Sequence, residues 1–168
     1  MIRNASIIAQ PYSGEYMERI YDIESVWNSG DWTWVKFDDD DEAWCGEFRG
    51  APRGVAFSKK YLNVYILTSD YLYVLDCENG EIKSYEAQPQ YTSITASPSG
   101  DILIADDYSV NLVKNTIDEF EEVPMPFQTD MIRFHEWSGN ILKISCYRFL
   151  EWGEEIELFL DGTSFKWV

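Results

Sequence analysis

The chain has 168 residues, of which 45% are hydrophobic and 16% aromatic, so it can fill a core and global disorder is excluded. Its 30 acidic residues outnumber its 13 lysines and arginines, and the net charge of −17 argues against binding to nucleic-acid phosphates or anionic membranes. The same charge favours a basic protein partner or cations.

The N-terminal part of the chain contains an alternating strand beside a run of acids. Trp32–Phe37 alternates in the manner of a half-buried strand, and Glu42–Phe48 is its predicted partner. The acids Asp38–Asp41 between them are predicted to form the connecting turn. Upstream, Ser6–Gln10 indicates an extra strand, whereas Gly14–Asp22 fits either a strand or one or two helical turns.

The next segment predicts a complete four-stranded meander. Its apolar runs are short and separated by turn residues, and Asn79-Gly80 supplies the positive φ angles that a tight hairpin needs. The predicted strands are Gly54–Ser58, Val64–Ser69, Tyr71–Asp76 and Ile82–Ala87.

Two further segments follow the same plan, each with a polar turn, an apolar run and an aromatic-led run. The third segment has predicted strands at Ser93–Ser97, Ile102–Ala105, Tyr108–Val113 and Glu119–Val123. The fourth has them at Met131–Phe134, Ile141–Ser145, Tyr147–Trp152 and Glu155–Leu160. No segment of these parts carries a convincing helical period.

These segments form a repeat. Val55–Ser58, Ile94–Ser97 and Ile132–His135 occupy equivalent places and begin 39 and 38 residues apart. Such a period is typical of stacked or radial units that cannot bury their apolar faces alone. We therefore predict an all-β fold in one domain spanning 1–168, with about four antiparallel meander repeats at 16–50, 54–88, 93–126 and 131–168. A two-sheet β-sandwich is the alternative.

The repeat resembles the blades of WD40-type and related β-propellers. The turn Ser97-Pro-Ser-Gly-Asp101, the apolar strand after it and the aromatic-led strand that follows carry this resemblance, which spans residues 23–160. It implies a propeller-like arrangement, either a small closed ring or a half-ring completed by a second chain. In a ring, Ser6–Gln10 would pair beside Glu155–Leu160 and complete the last blade.

The cysteines and the apolar runs indicate the cellular compartment of the protein. Cys45, Cys77 and Cys146 are widely spaced and form no zinc-ligand pattern, so we expect buried free thiols and a reducing environment. The longest apolar runs fall well short of the roughly 18 residues of a membrane span. A cytoplasmic location is the simplest expectation.

No catalytic constellation can be assembled from the sequence. His135 is the only histidine, and its neighbour Glu136 points to the opposite face of a strand. The run Asp38–Glu42 lacks the alternating acids, the central glycine and the distal glutamate of a calcium loop. We therefore predict a protein that is not an enzyme and that has neither a metal nor a cofactor.

Acidic turns and tryptophans are the candidate binding residues. If the units share one register, the turns between their second and third strands lie on one rim, and three of these four turns are acidic. That rim would steer a basic partner, and nearby tryptophans, if exposed, would anchor it. The predicted residues are Asp38, Asp39, Asp40, Asp41, Asp70, Asp106, Asp107, Trp32, Trp34 and Trp44, with Trp27 in the same group of tryptophans.

The predicted function is binding to a basic protein partner. Small size, strong acidity and the lack of catalytic motifs resemble the bacterial immunity proteins that neutralise toxins, which implies a basic toxin domain as the partner and charge mimicry of its anionic substrate. Two alternatives stay open. One is a self-associating module that completes a ring as a homodimer, and the other is a small-molecule or carbohydrate binder that uses exposed tryptophan.

Overall fold

We describe a computed structural model that covers residues 1–114, 116–151 and 153–168. These residues contain β-strands joined by turns and no helix, which confirms the all-β prediction. The strands form four separate sheets, so the two-sheet sandwich is not adopted. The chain divides into two compact units, one made of Met1–Phe57 with Leu62–Pro89 and the other of Ser58–Tyr61 with Gln90–Val168.

The first sheet departs from a simple meander. Its strands are β1 (Ile2–Ile8), β2 (Met17–Tyr21), β3 (Trp32–Asp39) and β4 (Trp44–Arg49). They lie in the order β1-β3-β4-β2, and β2 pairs with β4 in parallel. Residues 14–22 therefore supply a strand rather than helical turns. The predicted pairing of Ser6–Gln10 with Glu155–Leu160 is wrong, because β1 pairs antiparallel with β3.

The second sheet is the meander that the sequence predicts. Its strands are β5 (Pro52–Ser58), β6 (Asn63–Thr68), β7 (Tyr71–Asp76) and β8 (Ile82–Ala87), in that order. Gly80 has the positive φ angle, 74°, that the turn between β7 and β8 requires. All of β6 is buried, because both faces of this strand are covered.

An aromatic core holds the first unit together. Phe48 of β4 is fully buried, stacks on Tyr21 with ring centroids 4.5 Å apart and meets Tyr73 edge-on at 5.1 Å. Phe37 stacks on Trp44 at 4.2 Å. Because Tyr73 belongs to the second sheet and the other rings to the first, these contacts join the two sheets.

The third sheet belongs to the second unit and is again a meander. Its strands are β9 (Ser93–Ala96), β10 (Ile102–Ala105), β11 (Val110–Val113) and β12 (Phe120–Val123). The predicted turn before β10 closes through a hydrogen bond from the Ser97 amide to the Asp101 carbonyl, 2.7 Å. Gly100 adopts φ 91° there, and Lys60 forms an ion pair with the Asp101 carboxylate.

The fourth sheet has three strands, β13 (Thr129–Ser138), β14 (Ile141–Arg148) and β15 (Ile156–Asp161). β13 is longer than predicted and contains two irregularities in its pairing with β14. The outer side of β15 is covered by the C-terminal residues, since the Val168 amide donates to the Phe159 carbonyl at 2.9 Å. Residue 152, the predicted end of a strand, lies outside the described residues.

A separate apolar core fills the second unit. Leu103 and Val110 of the third sheet pack with Ile132, Leu142 and Leu160 of the fourth, and all five are buried. Each unit thus builds its apolar core from two sheets, as the repeat period predicts. The described residues contain no membrane-spanning helix.

Candidate protein-binding surface

The acidic hairpin (Asp38–Glu42) lies where β3 turns into β4, and cations compensate part of its charge. β3 extends through Asp39, so the turn itself begins at Asp40. Lys36 forms an ion pair with Asp38 at 2.9 Å. Arg3 contacts both carboxylate oxygens of Asp40 at 2.7 and 3.1 Å, and its hydrogen bond lowers the pKa of that carboxyl. The amine of Met1 contacts Asp39 and lowers the pKa of Asp39 in the same way.

The uncompensated charge of the hairpin is concentrated on its last two residues. Asp41 and Glu42 are exposed and form no hydrogen bond or ion pair with any described residue. They line a shallow cleft of about 280 Å³ together with Met17, Arg19 and Trp44. This cleft therefore combines the free carboxylates of Asp41 and Glu42 with the Arg19 guanidinium and the apolar side chains of Met17 and Trp44.

Trp44 forms the floor of this cleft rather than an exposed anchor. Only 6% of the residue is exposed, and the Arg19 guanidinium lies 4.3 Å from the centre of its ring. The Arg19 side chain also donates to the Asn79 carbonyl at 2.8 Å. The indole Nε1 of Trp44 is buried and has no hydrogen-bond partner among the described residues.

Trp32 and Trp34 lie on the other face of the same sheet. Val35 and Phe37 of β3 point into the core, so the tryptophans that alternate with them point away from it. Both are half-buried, and the Arg49 guanidinium stacks 3.9 Å from the ring centre of Trp32. The three predicted tryptophans therefore do not form one patch.

Asp70 lies at the opposite end of the first unit from the acidic hairpin. Ile2 pairs with Asp39 and donates its amide to Cys77, just beyond the end of β7, whereas Asp70 immediately precedes the start of β7. These turns therefore do not share the rim that the repeat predicts. Asp70 is 4% exposed, and its carboxylate accepts hydrogen bonds from the Ser29 amide and the Ser69 hydroxyl, both at 2.7 Å. It stabilises a turn and is not accessible to a partner.

The predicted acids of the second unit are also engaged. Asp106 accepts hydrogen bonds from the amides of Tyr108 and Ser109 at 2.8 and 2.7 Å, which closes the turn between β10 and β11. Asp107 forms an ion pair with Arg133 at 3.1 Å. Both carboxylates are half-exposed and offer less free charge than Asp41.

The exposed edge of β2 is the feature that sequence reasoning missed. Met17 and Ile20 are 69% and 67% exposed, and the segments that flank the strand carry the exposed side chains of Tyr12, Val26 and Trp27. The sequence did contain a signal, because Met17 and Ile20 are apolar residues of a short strand in which the charged Glu18 and Arg19 lie between them. Its position at the edge of the sheet depends on the parallel pairing with β4, which no local pattern indicates.

The described residues also bear on catalysis and metal binding. They contain no cluster of three or more His, Cys, Asp or Glu that could hold a metal ion. His135 Nε2 lies 2.8 Å from Ser145 Oγ, a contact that the sequence did not predict. Since Ser145 is buried, its hydroxyl is not presented to a substrate. The pair stabilises the contact of β13 with β14.

Comparisons with known proteins give a limited result. No protein-family model and no curated protein matches the chain. Among solved structures, it is similar to the crystal structure of the N-terminal domain of Nup159, with 9% sequence identity and a TM-score of 0.45. The similarity covers 71% of this chain and 33% of that one, so this chain spans about a third of the solved chain's length. The all-β assignment rests on the four sheets themselves.

Proposed function

We propose that this chain is a non-catalytic module that binds a basic protein through one surface of its first unit. The surface consists of Asp41 and Glu42 of the acidic hairpin with Met17 of β2. The observation that carries the proposal is the free charge of Asp41 and Glu42 beside the exposed side chain of Met17. Protein interfaces combine an apolar centre with a charged rim in this manner.

The net charge of −17 adds a long-range component to this surface. Such a field accelerates the encounter with a basic partner and repels nucleic acids. In its most specific form the proposal is an immunity protein, which would hold its carboxylates where a basic toxin takes its own anionic substrate. Small size and strong acidity support this form.

The proposal is tested by exchanging charges at matched places. A partner is first purified with the tagged chain and identified, and its affinity is then measured against salt concentration. The double variant Asp41→Lys/Glu42→Lys removes the free carboxylates of the acidic hairpin. Its control, Glu154→Lys/Glu155→Lys, changes the net charge equally at exposed acids of the second unit.

We expect the hairpin variant to slow association by about tenfold at low salt, and the control variant by much less. The difference should shrink towards 1 M salt, where the screening length is about 3 Å. Equal slowing by both variants would mean that only net charge matters. An unchanged association rate in the hairpin variant would refute the proposed surface.

A further inference from the structure

β2 is a sheet edge that nothing in the described part of the chain covers. It pairs with β4 on one side only. Beyond this pairing, the described residues supply no hydrogen-bond partner to the backbone of Met17–Ile20. The outer side of β15, by contrast, is covered by a bridge from Leu160 to Trp167. Free edges of this kind present unpaired amides and carbonyls that can accept another strand.

The side chains of β2 do little to prevent another strand from pairing with this edge. Natural edges are blunted by lysine or proline, and the edge strand β8 does carry Lys83, which is paired with Asp76. β2 has neither lysine nor proline. Its one cation, Arg19, lies over the Trp44 ring and donates to the Asn79 carbonyl, whereas Met17 and Ile20 are largely exposed. Apolar side chains on an open edge favour the addition of a further strand.

The acidic side chains near β2 favour a basic strand as the one that pairs with its open edge. Glu18 carries no ion pair with any described residue, and Glu47 lies across from Ile20 on the neighbouring strand. Burial raises the pKa of Glu47, and the Glu18 carboxylate raises it further. Two unpaired carboxylates on one face repel each other, so an incoming lysine or arginine would relieve that repulsion.

From this juxtaposition we infer that β2 accepts an extended, basic segment of the partner protein as an added strand. The inference rests on the proposed function and specifies how the partner binds. Lysine or arginine of that segment would lie beside Glu18 and Glu47, and alternating apolar residues would cover Met17. A second copy of this chain is a poor occupant, because each copy brings a net charge of −17.

The test uses a synthetic peptide of alternating lysine and valine, nine residues long with blocked ends. Its control peptide has proline in place of the central valine, which removes a backbone donor. Binding is followed by fluorescence anisotropy, and protection of backbone amides by hydrogen exchange. We expect the first peptide to protect residues 17–21 and the proline peptide to bind at least about tenfold more weakly. Equal binding of the two peptides, or no protection of these residues, would overturn the inference.

Two variants localise the binding. Ile20→Lys places a cation on the β2 edge, and Ile82→Lys makes the same change on the exposed edge strand β8. Both positions are exposed, so we expect both variants to fold, and circular dichroism checks this. We expect Ile20→Lys to weaken peptide binding by about tenfold and Ile82→Lys to leave it within about twofold. An equal loss in both variants would overturn the assignment to β2.

The outcomes separate this inference from the proposed function. If the purified partner depends on Asp41 and Glu42 but tolerates Ile20→Lys, the proposed function stands and strand addition is wrong. If the partner tolerates the charge exchange at Asp41 and Glu42, the proposed function itself fails. If the chain alone forms a dimer in which residues 17–21 are protected, the basic partner is replaced by a second copy and the inference is overturned.

Discussion

Tyr21 anchors β2, and its removal gives a prediction whose size follows from the structure. It is the buried residue of β2, stacks on Phe48 and donates its hydroxyl to the Gly80 carbonyl at 2.6 Å. Tyr21→Phe leaves that buried carbonyl without its donor, which costs about 1–3 kcal/mol. Tyr21→Ala also removes the ring, and we expect a loss of about 3–5 kcal/mol in the free energy of unfolding.

Urea denaturation measures both losses, and hydrogen exchange of residues 17–21 shows whether β2 detaches first. Tyr85→Phe is the matched control, because Tyr85 is half exposed and lies on the edge strand β8. Its effect should stay within about 0.5 kcal/mol. A loss below about 1 kcal/mol for Tyr21→Ala would refute the reasoning, since β2 would then be held by something other than this ring.

Three further predictions concern the rest of the fold. Gly50→Ala should cost at least about 2 kcal/mol, because Gly50 has φ 106° and an added Cβ would lie 2.8 Å from a backbone nitrogen. Asp101→Asn should destabilise at pH 7, and the difference from the native chain should shrink as the pH falls below about 4. Cys45 and Cys77 should resist iodoacetamide at pH 7.5 by at least about a hundredfold relative to the unfolded chain, because burial raises both pKa values to about 11.

Each of these predictions has its own control or contrary result. Gly30→Ala is the control for Gly50→Ala, because Gly30 has open space around it and no positive φ. This control substitution should leave the free energy of unfolding unchanged. For Asp101, burial raises the pKa, but hydrogen bonds from Lys60 and Ser99 outweigh it and lower the pKa. A difference that grows on acidification would contradict this sign. Rapid alkylation of the folded chain would show that the thiols are accessible.

Local turn chemistry explains why most of the strands were predictable. The Asn79-Gly80 turn and the Ser97–Asp101 turn are fixed by residues within a few positions of each other, and the strands beside them fall close to their predicted bounds. The apolar runs Val64–Thr68 and Ile102–Ala105 are buried, as expected of central strands. Hairpins of this type need no information from distant parts of the chain.

The first sheet was less predictable, because its order depends on distant pairings. β1 pairs antiparallel with β3, and β2 pairs in parallel with β4. No local sequence pattern indicates either pairing. The result places Asp70 away from the acidic hairpin, although the repeat assigns the two turns equivalent positions. The compensation of Asp40 was equally hidden, since Arg3 is 37 residues away in sequence. Free charge is therefore a property of tertiary contacts and cannot be counted from acids alone.

We propose that the first unit binds a basic partner through β2 and the acidic hairpin. Hydrogen exchange of the full chain, with and without its purified partner, tests this most directly. We predict slower exchange at residues 12–27 and 40–44 in the complex and no change at residues 106–107 or 130–133. Protection confined to the second unit, or spread evenly over both units, would contradict the account.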